Sequence, residues 1–92
     1  MLSNRGKQWI IFSKRVLEHI ETYTVPQYGD EPHDQIELWS PQECVRSIGK
    51  RCARHGRNSR EGQELLDLVK IAHESCLAFD KIEKGARYGD DR

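Results

Sequence analysis

Long apolar runs are missing from this sequence. No stretch approaches the ~20 residues that a membrane helix needs, which excludes a helical membrane span. Cysteine is scarce and odd in number, at three. The start, Met1-Leu2-Ser3-Asn4-Arg5, lacks the long apolar stretch of a secretion signal. These two features predict a reduced, cytoplasmic setting rather than a disulfide scaffold. Net charge is lacking as well. Fifteen basic side chains balance fifteen acidic ones, so nothing about the chain as a whole steers it toward nucleic acid.

What is present is a polar chain with an adequate apolar complement. Of its 92 residues, 36% are apolar and 33% charged, enough Leu, Ile, Val, Trp and Phe for one modest core. Residues 1–85 are expected to form a single helical domain, and residues 86–92 a mobile tail. The charges are segregated along the chain. Residues 1–15 carry four basic groups and no acid, residues 16–45 seven acids and no base, and residues 46–60 six bases and no acid. The neutral sum therefore hides a dipolar arrangement.

Periodicity predicts three helices. Trp9, Phe12, Val16, Ile20 and Tyr23 recur at steps of three and four, placing a first helix at about residues 7–23, with Ser3 or Asn4 as its cap. Pro26 disfavours helix just before it, so residues 24–39 read as an ordered, irregular loop. Ser40-Pro41-Gln42-Glu43 combines a capping box with proline at the first helical position, and a second helix runs from there to about Arg54. Its apolar side holds Cys44, Val45, Ile48 and Cys52, and Gly56 is its left-handed terminator. Asn58 then caps a third helix whose stripe is Leu65, Leu68, Val69, Ala72, Cys76, Phe79 and Ile82. The expected fold is an all-α three-helix bundle with a long ordered loop between helices one and two. A tight turn at 56–58 would place Cys44 level with Ile71, Ile48 with Asp67, and Trp39 with Cys76.

Two stretches, Tyr23-Thr-Val-Pro-Gln-Tyr-Gly-Asp30 and Gly62-Gln-Glu-Leu-Leu-Asp-Leu68, resemble small uncharacterised proteins of bacteria, phages and mobile gene elements such as integron cassettes. That resemblance implies prokaryotic origin and an all-helical domain. It implies no mechanism. Glu18-x-x-Glu21 and Glu64-x-x-Asp67 resemble the metal-binding acid pairs of MazG-type nucleotide pyrophosphatases. This second resemblance implies Mg²⁺ on Glu18, Glu21, Glu64 and Asp67 beside a nucleotide phosphate. The adjoining double glutamate of that family is absent here, because His19 follows Glu18.

Other constellations point elsewhere. Cys52-x-x-His55 and His73-x-x-Cys76 have zinc-ligand types, but the hairpin register separates them by roughly 15–20 Å, and Cys52 and Cys76 read as small core residues. Arg46, Lys50, Arg54, Arg57 and Arg60 form a basic segment suited to a phosphate, a nucleic-acid backbone or an acidic partner. Acids of residues 29–43 folding back over it would compensate it internally. Tyr23, Tyr28 and Trp39 could line a loop pocket or a partner surface. The leading expectation is an interaction domain that binds another protein or itself as a homo-oligomer, without catalytic residues or cofactor. A Mg²⁺-dependent nucleotide hydrolase and a nucleic-acid binder stand as alternatives.

Overall fold

Three helical rods account for most of the chain, and no strand occurs among the described residues. The computed structural model describes residues 1–30, 39–57 and 60–84. The chain is all-α, as its periodicity predicts. It divides into two compact units, Met1–Asp30 and Glu31–Arg92.

The first unit is one rod. Helix α1 (Asn4–His19) begins where the Ser3 side chain accepts a hydrogen bond from the Gly6 amide at 3.0 Å. It continues into a π-helical segment, Ile20–Thr24, and a last turn, α2 (Val25–Tyr28). Residues 24–28 are thus helical, not irregular as Pro26 suggests. The cause lies in the widened segment. A proline inside an α-helix lacks an amide donor, and its ring clashes with the carbonyl four residues back. Here the Val25 amide bonds to the Ile20 carbonyl, one residue further back than α geometry, and the rod passes Pro26 through this wider turn. Thr22 Oγ1 also donates to the Glu18 carbonyl at 2.7 Å, the kind of back-bond that bends helices. Gly29, at φ +88°, ends the rod. No residue of this rod is buried.

The second unit is an antiparallel helical hairpin. Helix α3 (Pro41–Ala53) starts with both halves of the expected capping box. The Glu43 amide donates to Ser40 Oγ at 3.2 Å, and the Ser40 amide donates to Glu43 Oε1 at 2.7 Å. Gly56 holds φ +82° in the turn, as a left-handed terminator should. Helix α4 (Gln63–Glu83) starts later than the sequence suggests, after Gly62 at φ +81°. The proposed cap at Asn58 and half of the loop over residues 24–39, residues 31–38, lie outside the described residues, as does the tail 86–92. The later start lengthens the turn and displaces the register. Arg54 meets Asp67 and Ser47 meets Glu74, whereas a short turn would set Ile48 beside Asp67.

The two helices face each other with an unexpected surface. Among the described residues, beyond Pro41 at the head of α3, the buried apolar side chains are only Cys44 and Ala78. Gln63, Asp67 and Glu74 are buried polar ones. The apolar stripe of α4 lies on its opposite side. Leu65 is 65% exposed, Phe79 67%, and Leu68 and Cys76 are exposed as well. Cys52 and Val45 on α3 are also exposed. Reading Cys52 and Cys76 as core residues is therefore corrected. One face of each helix is turned inward, and its charged side chains select it.

Because the capping box is complete, Ser40→Ala should cost about 1 kcal/mol of stability, and Ser40→Gly only a few tenths. Urea denaturation followed by far-UV circular dichroism checks both values.

Candidate functional site

The side chains that join α3 to α4 form a charged lattice. On α3 and its C-cap, Ser47, Arg51 and Arg54 share one face at helical spacing, and on α4 Gln63, Asp67 and Glu74 do the same. Arg51 grips Glu74 with two parallel bonds, Nε to Oε1 at 3.0 Å and Nη2 to Oε2 at 2.7 Å. Ser47 Oγ donates to Glu74 Oε2 at 3.1 Å. Arg54 grips Asp67 in the same forked way, at 3.1 Å and 2.6 Å. Gln63 Nε2 donates to Asp67 Oδ1 at 2.9 Å, and Arg51 Nη1 lies 3.8 Å from that same oxygen. Arg51 thus ties the two acids into one network.

Burial decides how much this matters. Asp67 is 3% exposed and Glu74 4%, so neither carboxylate can fall back on bulk water. Forked arginine–carboxylate pairs are stronger and more directional than ordinary hydrogen bonds. Burying them costs desolvation of similar size, so the lattice fixes register more than it adds net stability. The Arg54 guanidinium, through its hydrogen bonds, holds the Asp67 carboxyl below the usual carboxylate range, with Gln63 assisting. Asp67 in turn raises Arg54 above its ordinary value. Burial pushes the Cys44 thiol up, which makes it a poor nucleophile.

The residues singled out in the sequence fall into separate places. Arg54 is engaged by Asp67, while Arg46, Lys50, Arg57 and Arg60 are exposed. The compensation seen for the basic segment comes from α4. The alternative source, residues 29–43, lies mostly outside the described residues. Of the four acids suggested for Mg²⁺, Asp67 has both oxygens bonded within the hairpin, whereas Glu18, Glu21 and Glu64 are exposed. Among the described residues, no group of three or more His, Cys, Asp or Glu side chains is placed to hold a metal ion. Tyr23 stacks on His19 with ring centres 5.1 Å apart and meets Tyr28 edge-on at 6.3 Å. Trp39 is half-buried at the head of α3. All three cysteines are free thiols.

Ser47, Arg51, Gln63 and Glu74 escape a reading based on motifs. Their signal lies in two polar triplets, 47/51/54 and 63/67/74, each repeating along one helical face. Opposite the lattice, α4 offers the stripe of Leu65, Leu68, Ala72, Cys76 and Phe79, exposed except for the half-buried Ala72, as the candidate contact surface. Among the described residues, no helix is long and apolar enough to cross a membrane. No protein-family model, curated protein or solved structure matches the chain.

Two outcomes test the lattice. The depressed Asp67 carboxyl stabilises the fold fully above its ordinary value near 4, and that contribution drains as pH falls through the lower folded value. Thermal melts from pH 7 to pH 2 should therefore show an acid limb that flattens in Asp67→Asn, together with a loss of about 1–3 kcal/mol at pH 7. Glu74→Leu alone should cost about 3–5 kcal/mol by removing the forked partner of Arg51 in a largely buried place, with only the longer approach to Asp67 left. Adding Arg51→Met should restore stability to within about 1 kcal/mol in chemical denaturation.

Proposed function

We propose that this chain is a self-associating helical interaction domain that works by binding and carries no catalytic site. One observation supports this most directly: the hairpin turns its charges inward and its apolar stripe outward. Normally the apolar face of an amphipathic helix supplies the folding energy. Here the internal face holds a lattice that roughly breaks even and two small apolar side chains. Covering what remains exposed of Leu65, Leu68 and Phe79 (65%, 46% and 67%) contributes about 3–5 kcal/mol per copy in gross terms, using ~1.5–3 kcal/mol for each fully buried side chain. That is comparable with the about 4 kcal/mol or more that association costs in lost freedom. A rod with no buried residue, such as residues 4–28, has the same need.

The cytoplasmic setting and the bacterial, phage or mobile-element origin belong to this proposal. Three free thiols support the first, and the two stretches at 23–30 and 62–68 support the second. A Mg²⁺ site forms no part of it, because the lattice already engages Asp67.

Sedimentation velocity across a hundredfold range of concentration should show a reversible dimer or higher oligomer. Leu65→Ser, Leu68→Ser and Phe79→Ser should each weaken it roughly tenfold or more while leaving the helical signal at 222 nm unchanged. A wild-type chain that stays monomeric throughout overturns the proposal.

A further inference from the structure

Helix α1 carries an apolar face of its own, with borders unlike those of α4. On a helical projection Phe12, Val16, Trp9, Leu17 and Ile10 spread over about 160° of its surface. None of them is buried, and Trp9 and Leu17 are each 57% exposed. Trp9 and Phe12 meet edge-on with ring centres 5.7 Å apart, so two aromatic rings stand together on this face. Gly6 and Ser13 are the small members of the arc, and Arg5 is its charged member. Ile11 is the one apolar side chain on the far side of α1.

Up to Leu17 the charges of the chain have one sign. Arg5, Lys7, Lys14 and Arg15 all precede the first acid, Glu18. Lys7 and Lys14 border the arc beside Ile10, and Arg15 borders it beyond Phe12. Arg5 stands in the first turn, where its long stem can run along the apolar surface and set the charge outside it. Glu18 is on the side of the helix opposite Trp9, and Glu21 falls in the π-helical segment.

A surface that complements this face is apolar beneath it and negative at its borders. It also accepts an arc wider than the seam between two packed helices. The interface of a bilayer containing anionic lipids has these properties. Its acyl boundary takes an apolar face to a depth of ~5–10 Å, its headgroup level suits the amphipathic indole, and its negative groups meet the flanking bases. A nucleic acid offers the negative charge without the apolar layer. The stripe of α4 does not fit such a bilayer, because Glu64 and Asp80 at its edges are repelled by an anionic surface. With 16 residues, about 24 Å, and four bases, α1 is suited to lie along a bilayer and not to cross it.

We infer that α1 is a membrane-surface helix, which seats the face of Trp9, Phe12 and Leu17 on anionic lipid and holds Lys7, Lys14 and Arg15 at the headgroups. This contact uses a different surface from the self-association proposed above and does not rest on it.

Co-sedimentation of the full-length chain with large unilamellar vesicles tests the contact. Phosphatidylcholine vesicles containing about a third phosphatidylserine should bind it at least about tenfold more tightly than phosphatidylcholine alone. Raising the salt to ~1 M should remove most of that preference. Lys7→Glu/Lys14→Glu should abolish the preference, and Trp9→Ser/Leu17→Ser should lower the affinity about tenfold or more, each with its lipid-free helical signal unchanged. In Trp39→Phe, Trp9 is the only tryptophan left, and its emission should shift to shorter wavelength on binding. No binding to the mixed vesicles, equal binding to both kinds, or binding without that shift overturns the inference. Binding that survives Trp9→Ser/Leu17→Ser but not Lys7→Glu/Lys14→Glu marks a purely electrostatic contact, of the kind a nucleic acid makes, and overturns it too. Binding lost in Leu65→Ser but kept in Trp9→Ser/Leu17→Ser moves the contact to α4, with the same meaning. Sedimentation velocity without lipid reads self-association separately, so the failure of either reading is told from the failure of the other.

Discussion

The lattice of Arg51 with Glu74 and Arg54 with Asp67 is the constraint on which the hairpin depends. It sets which face of α4 looks at α3. Rotating α4 by half a turn would bury Leu65, Leu68 and Phe79, as simple amphipathicity prefers. That rotation would also carry Asp67 and Glu74 away and strand Arg51, whose side chain is only 19% exposed in place. An unmatched charge at such a position costs about 3–5 kcal/mol, which offsets much of what covering those apolar side chains would contribute. Directional forked bonds also pin the register, which a surface of interchangeable leucines would leave loose.

The same constraint links local structure to association. A helix has two broad faces. Once the charged face is committed inward, the apolar face must meet solvent or another helix. The hairpin keeps few large buried apolar groups of its own, so its cohesion comes from geometry rather than from a hydrophobic core. In the proposed self-association, stability and binding draw on one surface. Anything that covers the stripe of α4 also supplies folding free energy by mass action.

The sequence reveals much of this fold where the signals are local. Ser40-Pro41-Gln42-Glu43 reports its helix start because the donors and acceptors of a capping box lie three residues apart. Gly56 marks the turn for an equally local reason, its positive φ. The register and the inward face are non-local, and there the reading fails. The stripe from Leu65 to Phe79 looks like a core because periodicity reports that a face is apolar, not what it meets. Asp67 looks like half of an acid pair with Glu64, yet three residues of helix turn the two toward different surroundings, one buried and one exposed. The distinguishing signal sits across the turn, in arginines matched to acids more than ten residues away. Pro26 shows the converse. Its local rule is sound, and the π-helical segment satisfies that rule without ending the helix.

An exposed apolar stripe is ordinarily a hazard for aggregation. The borders of the stripe limit that hazard here. Its edges are charged, with Glu64 on one and Asp80 on the other, so an apolar helix approaching from either side must desolvate a carboxylate. Had all four acids of α4 between residues 64 and 80 faced α3, nothing would border the stripe. Had all four been at its borders, α3 would have no carboxylates to hold. The observed division, with Asp67 and Glu74 inward and Glu64 and Asp80 at the edges, lets one helix fix its own hairpin and limit what covers it.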